Sequence, residues 1–210
     1  MTPARVPTAI WLLPDPPTRA AMQPILDRLA LAWDAPRFDA HVTVHVGDRE
    51  ADLADDVDAA LRDAALRSPP ITLVARACEH SDEYFRTLYL PLAAGPRAEG
   101  SAAGAHASPE ASPVHALRET LVAAQAARDR THPSVDDAVA AYRLAPHLSL
   151  LYARLDNAAR AALCERERRH LEEGAVLRFD RIALVQPAPG QVDLSQVSHW
   201  RVGAHWPLGA

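Results

Sequence analysis

A chain of 210 residues, 49% hydrophobic and 23% charged, is long enough to bury one large core and has the balance of a soluble globular protein. Its net charge of -5 excludes the overall basic field needed to hold a long polyanion through many phosphates, although a local group of arginines can still hold one or two. No apolar run approaches a membrane span, and the two cysteines, Cys78 and Cys164, set neither a disulfide framework nor a metal-ligand spacing. A monomeric cytoplasmic protein with reduced, buried thiols, no membrane contact and no long nucleic-acid partner is expected.

Thr8–Leu13 (TAIWLL) predicts a buried strand closed by PDPP. Met22, Ile25, Leu26, Leu29 and Trp33 then recur at helical spacing, with Pro24 expected to delay or kink the helix. HVTVHV alternates as a strand, and a second helix is expected from Asp48, with Leu53, Val57, Leu61 and Ala64 on one face. Ile71–His80 and Tyr84–Leu92 predict two strands around a turn at Ser81–Glu83. Ala93–Pro113 is rich in Ala, Gly, Ser and Pro without a period, and predicts a flexible loop insertion. A third helix carries Val114, Leu117, Leu121 and Val122. HLSLLYARL predicts a strand, Asp156 caps a fourth helix reaching about His170, and two closing strands are expected in AVLRFDRIALVQ and SHWRVGAHW. The order β-α-β-α-β followed by β-α-β-α-β-β suggests a duplication within one domain spanning 1–210, with lobes of about 1–80 and 84–210 interleaved at the termini.

The pattern His-x-Ser/Thr occurs at His41, His106, His132 and His147. His106 lies in the loop composition and His132 precedes a proline unsuited to a central strand. Only His41-Val-Thr43-Val and His147-Leu-Ser149-Leu have apolar residues at both alternate positions, each on the strand after the first helix of its half. Alternation places an imidazole and a hydroxyl about 7 Å apart on one strand face, with an aliphatic row on the other. Taken singly, either tetrad reads as the solvent face of an ordinary strand; the pair suggests one site built from two halves. His41 and His45, four residues apart on a strand, stand about 13 Å apart and cannot share a metal ion, so His45 is expected at the cleft rim or in solvent. No metal or cofactor is expected. No nucleophile elbow, P-loop or dinucleotide fingerprint is present.

With these motifs the chain resembles the 2H phosphoesterase superfamily and, within it, the plant-type cyclic phosphodiesterases. AIWLLPDPP, PRFDAHVTV, APHLSLLYARL and RFDRIALVQ carry the likeness. The resemblance implies a bilobal, duplicated α+β fold with two antiparallel sheets facing a central cleft and helices outside. It implies metal-independent hydrolysis of a small cyclic phosphodiester, ADP-ribose 1'',2''-cyclic phosphate or a nucleoside 2',3'-cyclic phosphate. Two alternatives remain: an enzyme acting on RNA 2',3'-cyclic ends or resembling 2',5' RNA ligases, and a non-catalytic nucleotide-binding module. His41 and His147 are the expected base and acid, with the order open, and Thr43 and Ser149 the donors to non-bridging oxygens. By strict alternation Tyr152 falls on the core face, whereas the superfamily places a tyrosine here near its site. Trp11 can stack on a base or fill the core, and Arg37 can reach a second phosphate or decorate a turn.

Overall fold

The computed structural model describes residues 5–50, 54–94, 112–128, 144–186 and 200–209. Most of the Ala93–Pro113 insertion, together with His106, His132 and His199, lies outside them.

Strand β1 (Arg5–Pro14) begins the chain's first unit. Helix α1 (Pro16–Ala32) follows at once because Asp15 caps it, accepting from the Thr18 N–H at 2.9 Å, and prolines fill its first turn, where no N–H is needed. Pro24 sits inside this helix, which starts on time rather than late. Strand β2 (Val42–Glu50) runs further than its alternation suggested, since Val46–Glu50 keep pairing with Arg5–Ala9. Helix α2 (Ala54–Leu66) therefore starts after the expected Asp48.

The single strand expected over Ile71–His80 is broken into β3 (Ile71–Ala75) and β4 (Glu79–His80). Tyr84–Arg86 forms a 3₁₀ turn rather than strand, and β5 is Leu88–Ala94. Next come α3 (Pro113–Ala126), β6 (His147–Leu151), α4 (Asn157–Arg168), β7 (Val176–Gln186) and β8 (Arg201–Pro207). Asp156 caps α4 as expected, accepting from Ala159 N–H at 2.8 Å.

All strand pairs are antiparallel, in the order β2-β1-β7-β3-β5-β4, with β6 beside β5 and β8 beside β7. The fold is α+β. The third strand of each half pairs with the first strand of the other: β3 lies on β5, and β7 on β1. β2 and β6 are left on the ends of their ladders, where they approach each other.

Alternation divides the two faces. Ile10 and Leu12 join the main core with Leu26, Leu29, Leu61, Leu148 and Phe179, all below 3% exposure; burying each such side chain is worth about 1.5–3 kcal/mol. Ala9 and Trp11 turn the other way into a small cluster with Ala183 and Val185. Cys78 and Cys164 remain buried free thiols.

Helix α4 is fastened to α1 by Glu167, whose side chain is fully buried. Arg28 grips its carboxylate at 2.5 and 3.2 Å, and Arg166 at 3.0 and 3.1 Å. Burial alone would raise the carboxyl pKa, but the hydrogen bonds from the two arginines outweigh it and hold the value below the ordinary range. Glu167→Gln is expected to cost on the order of 2 kcal/mol in urea unfolding, less than the roughly 3–5 kcal/mol of a fully enclosed pair, because both arginines can turn to water. An unchanged midpoint would mean that the latch contributes nothing.

Candidate active site

His41 stands one residue before β2, and His147 opens β6. The two rings are held alike. Nδ1 of His41 meets the Asp39 carbonyl at 2.6 Å, and Nδ1 of His147 meets the Ala145 carbonyl at 2.7 Å, each two residues back. A carbonyl oxygen only accepts, so Nδ1 carries the proton in both rings and Nε2 holds the lone pair.

The likeness extends to the strand register. Along β1–β2 the partners run Ile10↔His45 and then Trp11↔Thr43; along β5–β6 they run Leu88↔Leu151 and then Tyr89↔Ser149. Each motif strand thus contains one extra residue, Val44 or Leu150, just after the motif hydroxyl, as in a β-bulge. The extra residue reverses the alternation beyond it. His45, paired with the core residue Ile10, is 3% exposed, which corrects the expected rim position. Tyr152 emerges on the side of the histidines, opposite to what strict alternation gives, and its hydroxyl lies 3.4 Å from His41 Nε2.

Trp11 and Tyr89 occupy equivalent register positions opposite the two motif hydroxyls. Trp11 lies flat on His41, with centroids 3.7 Å apart and planes at 10°. It is 6% exposed and covered on that side by the imidazole, so in this structure it supports the histidine rather than presenting a free stacking face. Tyr89 meets His147 edge-on at 5.6 Å.

Around His41, Phe38 contributes an edge at 6.0 Å and stacks on Tyr152 at 3.8 Å. Phe85 reaches Tyr152 at 5.4 Å and Trp200 at 6.2 Å, and Trp200 returns to Trp11 at 5.9 Å. An aromatic circuit therefore links the motif halves. Sequence reasoning missed Phe38, Tyr89, Phe85 and Trp200, although Phe38 sits in the quoted approach to the first motif.

Thr43 is half-buried across from Trp11. The Ser149 hydroxyl donates to the Phe85 carbonyl at 2.7 Å, so it must rotate before it can donate to a ligand. Arg37 is exposed. Among the described residues no three His, Cys, Asp or Glu side chains converge as a metal site, and no described helix is long and apolar enough to cross a membrane.

Both imidazoles are pushed toward the neutral form. For His41, burial is the main cause; the Asp39 carbonyl opposes it and the charge of His147 adds to it, leaving a pKa of about 4. His147 is also lowered by burial, against the Ala145 carbonyl, with Arg86 lowering it further and Glu83 opposing. The two motif halves meet here in space: β2 approaches β6, and Tyr152, just past β6, brings its hydroxyl to His41 Nε2.

No family model and no curated protein matches the sequence. Solved structures do. LigT of E. coli in its apo form superposes with a TM-score of 0.55 at 13% identity over 99% of both chains. LigT complexed with 3'-AMP gives 0.56 at 11% identity, covering 99% of this chain and 100% of that one. The protein TT0787 of Thermus thermophilus gives 0.56 at 14% identity over 96% and 97%. The fold is that of the 2H phosphoesterases. These likenesses carry the 2H fold and do not bear on the plant-type branch expected from the sequence.

Proposed function

We propose that this chain hydrolyses a small cyclic phosphodiester, ADP-ribose 1'',2''-cyclic phosphate or a nucleoside 2',3'-cyclic phosphate, by two-histidine acid–base catalysis. The observation that carries the reading is the duplicated clamp: two imidazoles with the same Nδ1–carbonyl anchor, each two residues before a hydroxyl at the same register, on strands that approach each other.

Hydrolysis needs one imidazole to take a proton from the attacking water and the other to give one to the leaving sugar oxygen. Water's oxygen bonds to phosphorus as the P–O bond to the sugar breaks, and the two histidines exchange protonation states. Anchoring Nδ1 presents each Nε2 with a fixed direction. A bound phosphate supplies the negative charge that makes one of the two rings, buried His41 or partly buried His147, cationic. Thr43, the Tyr152 hydroxyl and a rotated Ser149 hydroxyl would then meet the non-bridging oxygens. A nucleotide-class ligand is supported by the 2H fold, since LigT, which shares it, is complexed with 3'-AMP.

The test is a substrate panel of ADP-ribose 1'',2''-cyclic phosphate, nucleoside 2',3'-cyclic phosphates, 3',5'-cyclic nucleotides and RNA with 2',3'-cyclic ends, with and without chelator. Turnover of one of the first two, unaffected by chelator, is expected. Turnover confined to RNA ends would transfer the site to the RNA-processing reading, and ligand binding without any turnover would leave a non-catalytic binding module.

A further inference from the structure

The second half of the site carries a charge that two-histidine chemistry does not use. Arg86 ends the 3₁₀ turn Tyr84–Arg86. Its backbone is pinned: its N–H donates to the Glu83 carbonyl at 2.9 Å, and its carbonyl accepts from the Ser81 hydroxyl at 2.9 Å. The turn is also tied to the motif strand. Ser149 donates to the Phe85 carbonyl, and the Thr87 hydroxyl donates to the Ala153 carbonyl at 2.7 Å while accepting from the Ala153 N–H at 3.1 Å.

From this fixed base the guanidinium lies 4.6 Å over the Tyr89 ring, the same ring that His147 meets at 5.6 Å. The nearby carboxylates do not use up its donors. Glu83 forms an ion pair with it at 3.7 Å, beyond hydrogen-bonding length, and Glu79 already accepts from the Tyr89 hydroxyl at 2.8 Å, a hydroxyl whose hydrogen bonding Arg86 shares. Arg86 Nε is buried with no hydrogen-bond partner among the described residues. The equivalent position of the first half holds no cation: the residue three before Trp11 is the buried Thr8, where the residue three before Tyr89 is Arg86. A permanent cation beside a histidine that must hold a proton during turnover works against that proton unless an anion comes between them.

We propose that Arg86 is a phosphate-binding residue of this site, its guanidinium taking non-bridging oxygens of the substrate phosphate beside His147. The inference rests on the phosphoester reading above. A planar guanidinium suits two phosphate oxygens at once, which neither Thr43 nor Ser149 can do. It also gives the pseudo-symmetric pair of motifs a polarity, with the anion's charge held on the His147 side and the aromatic wall on the His41 side.

The experiment is an NMR titration of the histidine ring signals with inorganic phosphate and, separately, a nucleoside 2'-monophosphate, in the wild type, Arg86→Lys and Arg86→Met. Phosphate is expected to perturb His147 in the wild type, and Arg86→Met to weaken both ligands by about tenfold or more, with Arg86→Lys between. Without ligand, His147 should titrate at higher pH in Arg86→Met, its other charged and titratable neighbours, Glu83, Glu79, Tyr89 and His41, being unchanged. Affinity within about twofold of wild type in a folded Arg86→Met overturns the proposal, even if the His147 titration moves. If that variant does not fold, Arg86→Gln decides by the same criterion. Arg86-dependent phosphate binding in a chain that turns over no cyclic phosphate would sustain this site and sink the hydrolase reading. Turnover with Arg86-independent phosphate affinity would do the reverse.

Discussion

His41→Ala and His147→Ala are each expected to lower kcat/KM for a cyclic phosphate by about 10²–10⁴-fold, the range for removing a positioned acid or base. Each substitution removes an anchored Nε2 and leaves the opposite ring without its complement. Thr43→Val and Ser149→Ala should cost less, because hydroxyl donors share the non-bridging oxygens with other groups. For Ser149 the loss has a second origin: its hydroxyl also holds the Phe85 carbonyl, so Ser149→Ala loosens the turn that carries Arg86. Steady-state kinetics with melting temperatures measured alongside would separate the two. Full turnover by folded His41→Ala would refute the account of catalysis.

The second large effect is on stability. The His41 pKa falls from 6.5 unfolded to about 4 folded. Between those values the unfolded chain binds more protons than the native one, so stability is lost as pH falls through that window. The loss from this ring alone is about 3 kcal/mol. His147, also lowered, contributes in the same direction. Glu167, a depressed carboxyl, adds a separate loss at lower pH. Urea unfolding from about pH 7 to 4 should show a steep decline for the wild type and a much flatter one for His41→Gln. Parallel curves would mean that the ring is not buried neutral. With both rings lowered, the proposed chemistry places the kcat/KM optimum on the acid side of neutrality, with the kcat optimum displaced upward because bound phosphate favours an imidazolium.

What the sequence disclosed follows from periodicity and caps. The motif strands, the Asp156 cap, the buried stripe of α3 and the α+β order are local patterns, and the structure has them. The two bulges are not local patterns. Nothing in VTVHV or LSLLY marks an extra residue, because the bulge is defined by the partner strand. That single irregularity buries His45 and brings Tyr152 to the histidines. Arg86 and Tyr89 escaped for a related reason: the 3₁₀ turn of Tyr84–Arg86 reads as strand from its aromatic composition, and its role depends on Ser149, whose bond to Phe85 spans 64 residues. Interleaved halves were expected, but which strands they exchange was not legible, since β3 and β7 have ordinary strand sequences whichever sheet they join.

The central claim is that both imidazoles act on one phosphorus atom. The measurement that tests it most directly is kcat/KM for His41→Ala, His147→Ala and the double variant on the same cyclic phosphate. Groups acting as one unit are not additive, so the double variant should lie within about tenfold of the worse single variant. Losses that multiply, as for two independent sites, would contradict the account.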